Sequence, residues 1–304
     1  MATIVDPRTG VKLVDLIAAG ETKILIVFWH GLGDLVMFMP IFRYLQQTYP
    51  NVTFGLGLAR EHGHQPIFPE SVQLEHGWEG RVNEMGFDTA FICHYPIEDA
   101  SRPTVTKNDI CCEAELGIPY VSEEYRVGAK RLVGVHFQGT SCPGTVNAQE
   151  DVARRIWQDV LSAGCVPIET HFQHVWHNGA NGKYPFVSNH VRDWPADLDT
   201  LMAIIGGCGA FIGVLSGNAL LAMSILGNER VMILENGSRA SQFIKGDIRT
   251  VNVNDYNGEV RQWLESLGGQ HEADYFRSPK GGGVHLDEWG FRLCGTWANG
   301  PDGA

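Results

Sequence analysis

One carboxylate stands where parallel α/β proteins often do chemistry. The run KILIVFW at 23–29 is continuously apolar and leads into His30-Gly31-Leu32-Gly33, followed at once by Asp34. Such a run predicts a strand buried on both faces. Behind the acid, Leu35, Phe38, Met39, Phe42 and Leu45 recur at helical spacing. Asp34 therefore sits where a strand hands over to a helix. The positive end of the helix dipole favours an ionised carboxylate there by roughly 0.3–1 kcal/mol. At the carboxyl end of a parallel strand, such an acid can accept a proton from a bound hydroxyl. The competing role is a plain helix cap, which aspartate often fills.

The same turn fails as a dinucleotide fingerprint. A G-x-G-x-x-G motif would need glycine where Val36 stands, and an acid in the first helical turn would repel a pyrophosphate. No GxxxxGK[ST] run occurs, so the chain has no P-loop of that type. Anion-binding turns appear further on instead. GVLSGNALLAM at 213–223 reads as a strand end, a small-residue turn and a helix start. The amides of Ser216, Gly217, Asn218 and Ala219 can converge there on a phosphate, aided by the helix dipole. GVHFQGTSCPGT at 134–145 is a second such turn, where Gly139 opens the loop and Thr140, Ser141 and Thr145 add hydroxyl donors.

Positioning these groups takes two repeats of strand, turn, helix and strand. The first comprises a strand at 23–29, a helix at 34–48 that contains Pro40, and strands at 52–58 and 89–94. The second opens with a strand at 132–137. Asn147 is set to cap the next helix, with Glu150 three residues on in capping-box fashion. A strand at 165–168, a helix at 197–205, a strand at 210–214, a helix at 219–226 and a strand at 231–234 follow. Two such units in tandem predict an α/β protein of two Rossmann-like parallel-sheet domains facing a central cleft. The expected division is 1–130 for the first domain and 131–267 for the second. A Gly- and Trp-rich tail at 268–304 is either packed on the surface or disordered.

Bulk properties narrow the classes of function. The 304 residues suit two domains, and 35 acids against 23 Lys and Arg give a net charge of -12. That balance opposes binding to bulk nucleic acid or an anionic membrane surface, though not to a small anion in a local pocket. No apolar run reaches the ~18 residues of a membrane span. The N-terminus lacks the layout of a signal peptide. Seven cysteines, an odd number with no CxxC pair, predict neither a disulfide framework nor structural zinc and fit a reducing cytoplasm. His171, His174 and His177, with His62 and His64, are the candidates for a metal, but no carboxylate or cysteine completes a common ligand set and none is assigned.

KILIVFWHGLGDLVMFMPIFRYLQQTYP resembles the N-terminal signature of glycosyltransferase family 9, the heptosyltransferase-like enzymes. DLDTLMAIIGGCGAFIGVLSGNALLAMSILGNERVMIL is similar to that family's C-terminal signature, and LVGVHFQGTSCPGT to the strand and phosphate loop between them. The resemblance implies a GT-B architecture, with the acceptor on the first domain and a nucleotide-sugar on the second. It implies that Asp34 is the catalytic base, that Ser216 and Gly217 lie at the diphosphate, and that no metal or other cofactor is required. Two positions depart from the family pattern. Leu215 stands where an aspartate precedes Ser-Gly, and Leu220 where a histidine follows it.

Together these features predict an inverting glycosyl transfer from a nucleoside-diphosphate sugar, ADP-linked by default, to a glycan or small hydroxyl acceptor, as in lipopolysaccharide-like assembly. Gly33 would border the donor, and Glu169, at the end of its strand, would meet the ribose. His136 reads as a buried structural histidine. Three alternatives stay open: a non-catalytic nucleotide-sugar binder, a transferase acting on modified DNA, and a scaffold without chemistry. Oligomeric state is not legible.

Overall fold

In the computed structural model, the residues described are 2–6, 10–28, 31–58, 71–93, 129–139, 147–170, 184, 186–187, 198–235 and 248–270. These lie in one compact unit, Met1–Gln270; the tail from 271, for which packing or disorder is expected, is outside the described residues.

The first sheet is built from β1 (Thr3–Val5), β2 (Lys23–Phe28), β3 (Thr53–Leu58), β4 (Val72–Gln73) and β5 (Thr89–Cys93), in the order β1-β5-β2-β3-β4. All its pairings are parallel. Helix α1 (Leu13–Ala18) precedes β2, and α2 (Leu32–Thr48) follows it. Strand β2 shows why a continuous apolar run was needed. Ile24, Ile26 and Phe28 face α2 and one core, while Leu25 and Val27 face Leu74, Trp78 and Val82 on the other side.

The second sheet comprises β6 (Ala129–His136), β7 (Val166–Glu169), β8 (Cys208–Val214), β9 (Val231–Glu235) and β10 (Arg249–Asn252), ordered β10-β9-β8-β6-β7. It too is parallel throughout. Its helices are α3 (Glu150–Ser162), α4 (Leu198–Gly207), α5 (Gly217–Leu226) and α6 (Glu259–Gln270). Val152, Ile156 and Val160 of α3 pack with Val260, Trp263 and Leu264 of α6 over one face of this sheet. The other face, with Phe211, Val231 and Ile233, is covered by α4 and α5.

A single apolar core joins the two sheets. It contains Leu35, Phe38, Ile41 and Phe42 of α2 together with Leu201 and Ile205 of α4 and Leu221 and Ile225 of α5. The inner helices of the two lobes are thus packed on one another behind the site. Helix α5 is buried all round from Asn218 to Leu226, which explains why only Asn218 and Ser224 interrupt its apolar sequence. No helix among the described residues is long and apolar enough to cross a membrane.

Several boundaries differ from those read in the sequence. Helix α2 begins two residues early, at Leu32, with Gly31 as its N-cap, so Asp34 is its third residue and not its cap. Helix α5 begins at Gly217 rather than 219, capped by Ser216. Asn147 does not cap α3, whose N-cap is Gln149. Its side-chain oxygen accepts from the Gly139 amide at 2.8 Å and ties the loop's two ends together. Strand β10 and helix α6 were not foreseen, although Val260, Trp263 and Leu264 show helical spacing.

Candidate active site

Each sheet has one place where strand order reverses. In the first, the chain runs from β2 outward to β3 and β4, then returns to place β5 on the other side of β2. In the second, it runs from β6 to β7, then returns to place β8 on the other side of β6. Ligands of open parallel sheets bind beyond the carboxyl ends of strands at such points, because the connecting loops diverge there and leave a crevice. Asp34 follows β2, and Ser216 follows β8, so the two sequence-selected turns both sit at reversal points.

Asp34 is half-buried in the first turn of α2. Burial pushes the Cys93 thiol far above the ordinary range, and the Asp34 charge adds to that rise. Cys93 ends β5 and is in register with Phe28, the last residue of β2. The carboxylate therefore acts over the strand ends flanking the reversal point. The turn that carries Asp34 reaches the second lobe, because the two helix starts touch.

That contact is made by glycines. A Cβ on Gly33 would lie 3.3 Å from Gly217 Cα and 3.4 Å from Gly217 N, with Leu220 Cδ1 at 3.0 Å. A Cβ on Gly217 would lie 3.0 Å from Leu32 Cβ and 3.1 Å from Gly33 N. Backbone meets backbone, and a side chain on Gly217 would force the helix starts apart. Both helices present their positive ends here, each equivalent to roughly half a unit charge, so the junction favours an anion. Leu220, at the position where the resemblance would place a histidine, fills this seam.

Within α5 the Ser216 hydroxyl accepts from the Ala219 amide at 3.4 Å, and the Leu220 amide bonds Ser216 O at 3.1 Å. The amides of Gly217 and Asn218 are among the four that a helix start leaves without an intrahelical acceptor. The Asn218 side chain turns inward and is 3 % exposed. Its Nδ2 donates to Thr170 O at 2.7 Å and lies 3.3 Å from His136 Nδ1. Glu169 Oε1 stands 3.9 Å from the same His136 nitrogen, is buried and, among the described residues, has no hydrogen-bond partner. Burial pushes the Glu169 carboxyl up to about 8, against the pull of a hydrogen bond from the Phe137 backbone. Sequence reading had singled out Glu169, His136 and Asn218 separately. The structure gathers them at the ends of β6 and β7 beneath the first turn of α5.

Gly139 is buried at the mouth of its loop. Thr140, Ser141 and Thr145, like the histidines at 62, 64, 171, 174 and 177, lie outside the described residues. Among the described residues no three His, Cys, Asp or Glu side chains are grouped to hold a metal. Arg154 and Arg155 are engaged on the outer face, Arg154 with Glu150 and the Phe186 ring, Arg155 with Tyr256. Two surface hollows, beside Trp78 and between Arg155 and Tyr256, lie away from the reversal points.

Solved structures share this fold. E. coli ADP-heptose lps heptosyltransferase II superposes with a TM-score of 0.59 at 16 % identity, covering 83 % of this chain and 100 % of its own. E. coli heptosyltransferase WaaC with ADP gives 0.53 at 12 % identity, over 80 % and 99 %. A glycosyl transferase family 9 structure from Veillonella parvula DSM 2008 gives 0.52 at 13 % identity, over 81 % and 97 %. The chain has the GT-B fold. Its near-complete coverage of these GT-B structures means that both lobes match, not one sheet alone. No protein-family model and no curated protein sequence matches the chain.

Proposed function

We propose that the chain transfers a sugar from a nucleoside-diphosphate sugar to an acceptor hydroxyl, with inversion at the anomeric carbon and without a metal ion. The observation that supports this best is the Gly33–Gly217 contact. It joins the turn that carries Asp34 at one reversal point to the helix start at the other. In this reading Asp34 takes the acceptor hydroxyl proton as the oxygen attacks the anomeric carbon. The bond from that carbon to the diphosphate breaks, and the nucleoside diphosphate departs from the opposite face. Its negative charge is met by the backbone at Ser216, Gly217, Asn218 and Ala219, with Gly139, Thr140 and Ser141 closing the other side. Gly33 borders the diphosphate, and Glu169, read in the sequence as a ribose contact, is buried beneath α5 and supports the donor site from there. The GT-B neighbour holding ADP supports an ADP-linked donor. We assign the acceptor to the class of glycans or small hydroxyl compounds, as in lipopolysaccharide-like assembly, and the work to the cytoplasm.

A non-catalytic nucleotide-sugar binder is the second reading, and Leu220 favours it. A leucine packed into the seam offers no polar group to a leaving diphosphate. A thermal-shift screen against nucleoside diphosphates and nucleotide-sugars, followed by a transfer assay on each hit, separates the two. Binding at a hundredfold excess over Kd should raise stability by about 2.7 kcal/mol. Transfer that Asp34→Asn abolishes supports the enzyme. Binding without transfer or hydrolysis supports the binder, and no binding to any member of the panel contradicts both.

A further inference from the structure

The cluster under α5 holds two ionisable groups, and its geometry fixes their charge. Thr170 O can only accept, so the Asn218 amide must present Nδ2 to it, as the 2.7 Å contact requires. That same nitrogen turns its second hydrogen toward His136 Nδ1 at 3.3 Å. An N–H cannot face another N–H, so Nδ1 is an acceptor and the imidazole carries its proton on Nε2. His136 is therefore neutral and has no Nδ1 proton for Glu169 Oε1, 3.9 Å away. An ionised Glu169 would place its lone pairs against the imidazole lone pair in a buried setting where, among the described residues, no cation is positioned to compensate. We propose that Glu169 is a neutral carboxylic acid and, with Asn218, a positioning residue that keeps the ground under α5 uncharged, so that the helix start can hold a nucleoside diphosphate.

This rests on the donor-binding reading above and extends it to pH. An ionised Glu169 would draw on the field of the same helix start as the ligand and repel it. Burial holds the carboxyl up to about 8, so donor binding weakens as pH rises through that value. By linkage, a bound diphosphate pushes the Glu169 carboxyl higher still. Among the described residues, the groups facing Glu169 are His136 and the Phe137 backbone on β6, neutral Asn218 on α5, and Tyr184. Tyr184 is itself raised by burial, and the Glu169 and Glu150 charges add to the rise. It stays neutral across the window.

The experiment uses the full chain and two readouts. The first is ligand-free: 15N NMR of the histidine rings, with His136 assigned by His136→Gln, and the carboxyl stretch in infrared difference spectra against Glu169→Gln. At pH 7 the expected signals are an Nε2–H imidazole and a protonated acid. An imidazolium, an Nδ1–H tautomer or a carboxylate overturns the proposal. The second is calorimetric titration with ADP at pH 6.5 and 9.5. Wild type should lose tenfold or more in affinity at the higher pH, and Glu169→Gln less than twofold. Equal losses in both proteins overturn the link to donor binding. ADP binding to neither protein at either pH refutes the donor reading and that link, while the spectra still decide the charge state of the cluster.

Discussion

Gly33 and Gly217 meet backbone to backbone across the two lobes. A Cβ on Gly217 would stand 3.1 Å from Gly33 N, and one on Gly33 would stand 3.3 Å from Gly217 Cα. The starts of α2 and α5 are held so close that a side chain at either position would have to push its neighbours aside by a few tenths of an ångström. The close approach of the turn that carries Asp34 to the start of α5 therefore depends on two missing methyl groups.

Gly217→Ala should cost about 1–3 kcal/mol, because its Cβ would press on Leu32 Cβ and the Gly33 backbone, which cannot swing away. Gly33→Ala should cost less, since the nearest atom it meets is the flexible end of Leu220. Denaturant midpoints with unchanged m-values would check the order. The reverse order would show that the seam, not the contact, is the rigid part.

Glu169 makes stability depend on pH. Its carboxyl has an ordinary value near 4.5 when unfolded and is pushed up to about 8 by burial in the fold. Between these values the native state holds a proton that the unfolded state has lost, so stability falls as pH rises from 4.5 to 8 and levels off above. Thermal unfolding across this range should show that decline in wild type, with Glu169→Gln removing this contribution. Parallel curves for the two proteins would contradict it.

Asn218→Ala leaves Thr170 O buried without its donor, at a cost of about 1–3 kcal/mol. Asn218→Asp should be worse, because a carboxylate oxygen would face that carbonyl. Urea unfolding of both variants tests this. An aspartate variant as stable as wild type would mean that the amide is not oriented by Thr170.

The backbone plan was legible in the sequence because burial leaves a periodic trace. Strand β2 is apolar without a break since both of its faces are covered, and α3 carries one stripe because one face is covered. Asp34 stood out because it directly follows a Gly-Leu-Gly turn at the carboxyl end of an apolar strand, although a capping role would account for an acid there as well. Three things were not legible. Helix α5 starts at Gly217 because the Ser216 cap and the contact with Gly33 fix it there, and the latter is a tertiary fact. Asn147 matched a capping pattern but was taken by Gly139, a partner eight residues away. The Glu169, His136 and Asn218 cluster joins three elements through sheet register, which no local window contains.

Metal independence is checked by chelation. Turnover in excess EDTA should match the untreated protein, and elemental analysis should find less than one metal per chain. A loss restored by one divalent ion would contradict the metal-free mechanism and direct attention to the histidines at 171, 174 and 177.

The central claim is tested most directly by Asp34→Asn, assayed on the nucleotide-sugar that wild type turns over, with donor affinity measured in parallel. The substitution keeps the size of the side chain and removes the proton acceptor. We expect kcat to fall by about 10²–10⁴-fold while the donor Kd stays within about threefold of wild type. Turnover within twofold of wild type would contradict the assignment of Asp34 as the base.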